Sequence, residues 1–184
     1  DSAYGMHPCK VQLPGVEAST GSLGHGLPLA VGMAMGARGR GATHRVVTLM
    51  GDGETGEGSV WESALVASSN KLGNLVAVID RNRQLMTSFD EERVTLEPYT
   101  DKWAAFGWNV IHVDGHDMRA LVEAIDSLPP TDSDKPTVIV AETVKGKGVD
   151  FMEHNLAWHA GSLGAADLER ALAALEATRT KENV

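Results

Sequence analysis

Two short apolar runs with a helical stretch between them constrain this chain more than any other feature. Val46 to Met50 reads VVTLM and stops at Gly51-Asp52-Gly53, while Leu75 to Ile79 reads LVAVI and stops at Asp80-Arg81-Asn82. Between them, Gly58 to Ser69 has helical spacing, with Trp61, Leu65 and Val66 on one face. Uncharged runs of this length bounded by turn residues read as strands. A strand–helix–strand crossover is right-handed and returns the chain in the same direction, so both strand tips lie at one edge of a parallel sheet. Asp52 and Asn82 are therefore expected side by side, at the edge where open α/β sheets bind ligands.

A carboxylate and an amide both offer hard oxygen ligands. With a backbone carbonyl just past Asn82, that of Gln84, they make three protein oxygens. Mg²⁺ takes about six, and fills the remainder with phosphates and water. Gly51 and Gly53 carry no Cβ, which lets the backbone approach a phosphate closely. The residues thus read as a Mg²⁺–diphosphate site. Asp-Gly is also a common turn pair. What weighs against a plain turn is placement: the motif ends one strand and Asn82 ends the next, within a single βαβ unit.

The remainder of the chain continues the alternation. Strands are expected over Asn109 to Val113 and Thr137 to Ala141. A helical turn is expected over Asp101 to Phe106 with Trp103 buried, a helix over Met118 to Leu128, and a terminal helix over 166–180 whose Leu168, Leu172 and Leu175 form a docking stripe. Thr20 or Ser22 is placed to cap a helix rich in small residues, from Gly24 to Gly36, which ends near Arg38-Gly39-Arg40-Gly41. His112 and His116, at or near a strand end, suit a hydrogen-bonded structural role. Residues 83–98 form a long irregular stretch, of the length that is usually functional or disordered. The expected fold is α/β, a doubly wound, mostly parallel sheet flanked by helices. At 184 residues the size suits one domain, 1–184. The net charge of −9 argues against nucleic acid or an anionic membrane as the main partner. A lone cysteine, Cys9, allows no intrachain disulfide and suits a reducing, cytoplasmic setting. No apolar run approaches the about 18 residues that span a bilayer. The sequence opens on Asp1 rather than Met, and further residues are expected upstream.

Gly51-Asp52-Gly53 followed thirty positions after Asp52 by Asn82 resembles the thiamine-diphosphate signature. Glu57-Gly58, Trp61-Glu62, Lys71-Leu72-Gly73-Asn74-Leu75 and Asp80-Arg81-Asn82 resemble the diphosphate-binding (PP) domain of transketolases, a likeness running from Gly5 to about Leu163. The resemblance implies thiamine diphosphate as cofactor, with Mg²⁺ or Ca²⁺ held by Asp52, Asn82 and Gln84. It implies cofactor contacts from Gly21, Ser22 and Leu23, with Leu23 as an apolar wedge, and from Gly51, Asp52, Gly53, Glu57, Asn82 and His159. It gives His7, Glu57 and His159 catalytic roles. His7 takes the place of the histidine beside the substrate's reactive carbon, and His159 that of a histidine near the diphosphate, in a segment closing over the cofactor. Glu57 and Glu62 would line the contact between the halves of the active unit, in a proton-linked network joining paired cofactors. The sequence departs from the family at Met6, at Cys9 in place of an acidic residue, and at Arg83 in place of a small one. His25 stands where the family often has Gln. These departures leave room for a specialised substrate.

The glutamate that activates the cofactor's aminopyrimidine belongs, in this family, to a separate Pyr domain, for which this chain has no length. The resemblance therefore implies the amino-terminal subunit of a split transketolase. It would be completed by a second subunit carrying the Pyr and carboxy-terminal domains, in a heterotetramer, and would move a two-carbon ketol unit from a ketose to an aldehyde. Alternatives within the cofactor class are a deoxyxylulose-phosphate synthase and the alpha subunit of a 2-oxo-acid dehydrogenase. Outside it stands a catalytically silent interaction subunit. Nucleotide-binding α/β domains carry glycine-fingerprint or P-loop patterns that this chain lacks.

Overall fold

The computed structural model describes Gly5 and residues 7–86, 88 and 94–182. Met6, Thr87 and residues 89–93 of the irregular stretch lie outside the described residues. Four strands form the sheet: β1 (Val46–Gly51), β2 (Leu75–Arg81), β3 (Asn109–Asp114) and β4 (Thr137–Glu142). All pair in parallel, in the order β1-β2-β4-β3. Helices α1 (Gly26–Gly39), α2 (Gly58–Ser69), α3 (Tyr99–Ala105), α4 (Met118–Asp126) and α5 (Ala165–Glu182) surround it, with short 3₁₀ turns at Gly53–Gly56 and Leu156–His159.

Alternation along the strands divides the sheet into two apolar layers. Val46, Met50, Leu75, Ala77, Ile79, Val138 and Val140 face α1, α2 and the aromatic residues of the α3 region. Val76, Ile139, Val78, Ile111 and Val113 face the other way, against Ala124 of α4 and Leu128. Helices on both faces make the sheet doubly wound, as expected. At β1 the second layer stops: Val47 and Leu49 are 61% and 72% exposed.

The buried face of α2 is not the one that its large side chains mark. Val60, Ser63, Ala64 and Ala67 are buried, whereas Leu65 and Val66 point outward and Trp61 is half-buried. The reason is helix–helix proximity. Leu27, Ala30, Val31, Ala34 and Ala37 of α1 present an equally small surface, so two small-residue faces meet. Trp61 closes the end of this layer with Trp103 and Phe106, at ring separations of 5.0 and 5.1 Å, and Trp103 meets Trp108 edge-on at 5.1 Å. Trp103 is fully buried, as its sequence context predicts.

Helix ends also differ from expectation in detail. α1 begins after His25, without a side-chain cap from Thr20 or Ser22. It does end at the arginine–glycine stretch, where Gly41 adopts φ +68°. On α5, Leu168, Leu172 and Leu175 are each about half exposed, and among the described residues Ala171 is the buried one. Its anchor is Arg170 over the Phe151 ring, 4.3 Å from the centroid.

Candidate functional site

The βαβ geometry brings the two strand tips together. Gly51 lies opposite Asp80 in the β1–β2 register, and the Asp52 N–H donates to the Asp80 carbonyl at 3.1 Å. Asp52 is 1% exposed. Its Oδ1 accepts from Gly53 N–H at 2.8 Å; its Oδ2 accepts from Arg83 N–H at 2.6 Å and from Arg81 Nη1 at 2.9 Å. Burial pushes the carboxyl upward, while the Arg83 amide, the Arg81 guanidinium and the Gly53 amide pull against it.

Asn82 is one residue from that Arg83 amide. Its Oδ1 accepts from the Gln84 N–H at 3.1 Å, which folds the chain into a tight turn. Arg83, within the turn, has φ +59°, a conformation rarely held by a residue with a side chain. The turn brings the Gln84 carbonyl under the Asp52-Gly53 corner: a Cβ on Gly53 would lie 3.7 Å from it, and 2.8 Å from Leu85 Cδ2. Asp52 and the turn from Asn82 to Gln84 thus meet at one corner of the sheet edge. The Gln84 side chain is itself buried there, and its Oε1 accepts no hydrogen bond among the described residues. A buried carboxylate, an amide oxygen, a carbonyl and an unused acceptor suit a small hard cation. Among the described residues no three His, Cys, Asp or Glu side chains converge on one point.

A second group of candidates lies in the loop before α1. Gly21 adopts φ +137°, and a Cβ there would strike the His7 imidazole, 2.7 Å from Cδ2. His7, Gly21, Ser22 and Leu23 line one cavity of about 940 Å³, together with Glu54. Leu23 is 61% exposed. His25 bonds locally, through Nδ1 to the Leu23 carbonyl at 2.9 Å.

Glu54 is the residue that sequence reasoning missed. Its Oε1 accepts from Gly24 N–H at 3.0 Å, tying the His7–Leu23 loop to the 3₁₀ turn that follows Asp52. Ser59 adds a second tie, donating to the Gly24 carbonyl at 2.7 Å. Burial pushes the Glu54 carboxyl upward, and the neighbouring Glu57 reinforces the shift. Its position directly after Gly53 was the available signal. Arg81 was also overlooked as a site residue, although a charged residue inside a buried strand calls for a buried partner.

The remaining candidates are placed more loosely. Glu57 and Glu62 are exposed at the start of α2. His159 ends a 3₁₀ turn whose Trp158 packs edge-on against Phe151 at 5.4 Å. Burial and the nearby Lys145 lower the His159 pKa. Among the described residues no hydrogen bond joins His159 to either group above. His116 and His112 are hydrogen-bonded, as expected: His116 Nε2 accepts from Val144 N–H at 2.7 Å, and His112 meets Glu142 at 3.1 Å.

A family profile described as "Transketolase, thiamine diphosphate binding domain" matches residues 1–181. One subunit of the apulose-4-phosphate transketolase of Phocaeicola vulgatus is 44% identical over 166 residues, covering 90% of this chain and 58% of the relative. The 6-deoxy-6-sulfo-D-fructose transketolase subunit SqwG of a Clostridium species is 39% identical over 162 residues, covering 88% and 58%. Among solved structures, a Pichia stipitis transketolase in complex with sedoheptulose 7-phosphate superposes with a TM-score of 0.83 at 28% identity, over 92% of this chain and 26% of that one. The chain therefore spans 58% of the length of these two curated relatives.

Proposed function

Because the chain belongs to the transketolase thiamine-diphosphate-binding domain family, we propose that it holds the diphosphate end of thiamine diphosphate through a divalent cation, Mg²⁺ or Ca²⁺, on Asp52, Asn82 and the Gln84 carbonyl. The observation that supports this reading is the meeting of a buried carboxylate with the turn that carries Asn82 and Gln84, through the Arg83 N–H on Asp52 Oδ2. When bound, the cofactor supplies a nucleophilic carbon that accepts and releases a two-carbon ketol unit.

This chain's own residues bind and orient. The Gly51–Gly53 backbone approaches the diphosphate. Gly21, Ser22 and Leu23 support the cofactor's rings, and Glu54 fixes that loop against the metal corner. His7, which lies against Gly21, is the residue we assign to the substrate beside the reacting carbon. His159, whose pKa burial and Lys145 lower, offers a ring nitrogen to the diphosphate end of the site. Glu57 and Glu62, exposed at the start of α2, face a second subunit that brings the Pyr and carboxy-terminal domains. The assembly, a heterotetramer in the cytoplasm, transfers the ketol unit from a ketose to an aldehyde. Relatives that are themselves named as transketolase subunits support this division of labour. The sugars in those names carry a phosphate or a sulfonate, so a ketose with an anionic terminus is the substrate class we propose here.

Asp52→Ala tests the site. Calorimetry with thiamine diphosphate and Mg²⁺ is expected to show no metal-dependent binding, in a protein whose melting temperature without cofactor shows that it is folded. Unchanged binding would remove Asp52 from the site.

A further inference from the structure

The Asp52 carboxylate is occupied unevenly. Among the described residues, Oδ2 takes two donors, Arg81 Nη1 at 2.9 Å and Arg83 N–H at 2.6 Å, whereas Oδ1 takes one, Gly53 N–H at 2.8 Å. A carboxylate has about two acceptor directions on each oxygen. Oδ2 is filled and Oδ1 keeps one direction open. From this asymmetry we infer that Arg81 is a positioning residue that sets the site's preference between divalent cations, by confining Asp52 to coordination through one oxygen. The inference rests on reading Asp52 and Asn82 as metal ligands.

Mg²⁺ requires near-ideal octahedral geometry and takes one oxygen from each carboxylate without difficulty. Ca²⁺ is larger, accepts six to eight oxygens, and is often bound by both oxygens of a carboxylate. A guanidinium fixed on Oδ2 blocks the second mode, and so favours the smaller ion.

Arg81 is fixed firmly enough to do this. Its side chain is fully buried. A second prong, Nη2, donates to Glu97 Oε1 at 3.0 Å, and its plane lies over the Tyr99 ring, 4.5 Å from the centroid. Glu97 Oε2 accepts from Tyr99 N–H at 2.8 Å. The Tyr99 hydroxyl meets Thr55 Oγ1 at 3.0 Å, and Thr55 Oγ1 donates to the Asp52 carbonyl at 2.6 Å. The network therefore begins and ends on Asp52. Lysine has no planar fork and could not hold both carboxylates at these angles.

The test measures thiamine diphosphate affinity by calorimetry in Mg²⁺ and in Ca²⁺, on the full-length protein assembled as in its own cells. Arg81→Met keeps the buried volume and removes the fork. The ratio of the two affinities is expected to move about tenfold toward Ca²⁺, or about 1.4 kcal/mol. Glu97→Gln loosens the second prong at an exposed position and should move the ratio the same way by a smaller factor. A purely structural Arg81 would weaken both ions equally, and an unchanged ratio in folded Arg81→Met would overturn the inference. If Arg81→Met does not fold, Glu97→Gln decides alone, and an unchanged ratio there has the same force. Asp52→Ala in the same assay separates the two readings. Binding lost in Asp52→Ala with no ratio change at Arg81 removes this inference only. Binding kept in Asp52→Ala removes the ligand assignment and this inference with it.

Discussion

Tyr99 shows how single residues are tuned around the Asp52 carboxylate. It is 3% exposed, and burial pushes its phenol up to about 12 against the pull of the Thr55 hydrogen bond, with the Asp52 carboxylate adding to the rise. An unfolded tyrosine ionises near pH 10. Below that value both states keep the proton and the full native stability is present. Between about 10 and about 12 the unfolded chain loses it and the native one does not, so stability falls as pH rises through that window. Tyr99→Phe should lower stability by about 1 kcal/mol at neutral pH, from the lost hydrogen bond, and should flatten the alkaline decline of the melting temperature. An equally steep decline in the variant would show that another group titrates there. The placement of Asp52 and Asn82 at neighbouring strand ends was legible in the sequence because each directly follows an apolar run. The partners that orient them were not: Arg81 meets Glu97 across the irregular stretch, and Glu54 meets Gly24 across thirty positions. Those pairings depend on chain paths that no local pattern records.

At the scale of elements, strands were the most legible, since uncharged runs bounded by glycine, aspartate and asparagine have few other uses. Helix faces were less so. On α2, Trp61, Leu65 and Val66 suggested one face, but packing against the alanines and valine of α1 selects small side chains instead. Hydrophobicity marks what can be buried, and close approach of two helices decides what is. The short helix α3 depends on one side chain: Trp103, fully buried, joins it to Trp61 of α2 and to Trp108 before β3. Trp103→Ala should cost about 3–5 kcal/mol, read from urea denaturation. A loss below about 1 kcal/mol would mean that the layer collapses freely around the gap. Because Tyr99 is on the same helix, the variant should also weaken metal-dependent cofactor binding.

Across the whole molecule, the doubly wound sheet was legible and the incomplete cover of its surface was not. Val47 and Leu49 on β1, Leu65 and Val66 on α2, and Leu168 and Leu172 on α5 all stand exposed. No periodicity distinguishes a face that meets this chain from one that meets another. Native mass spectrometry of the protein from its own cells is expected to find it with a second, larger chain in equal number, retaining thiamine diphosphate and a divalent cation. A lone chain that stays lone after cofactor and Mg²⁺ are added would remove the split-enzyme reading. The strand order also orders events in time. β1, α2 and β2 follow one another along the chain, whereas β2 pairs with β4 only after everything from Arg81 to Thr137 has been looped out. Closing long loops is slow relative to closing short ones. The turn after β1 and the turn after β2 therefore meet early in folding, and Asp52 and Asn82 come with them. Glu142 and His112, which complete the polar rim around Arg83, arrive last. The nascent protein would join its Asp52 and Asn82 turns before it carries a finished sheet.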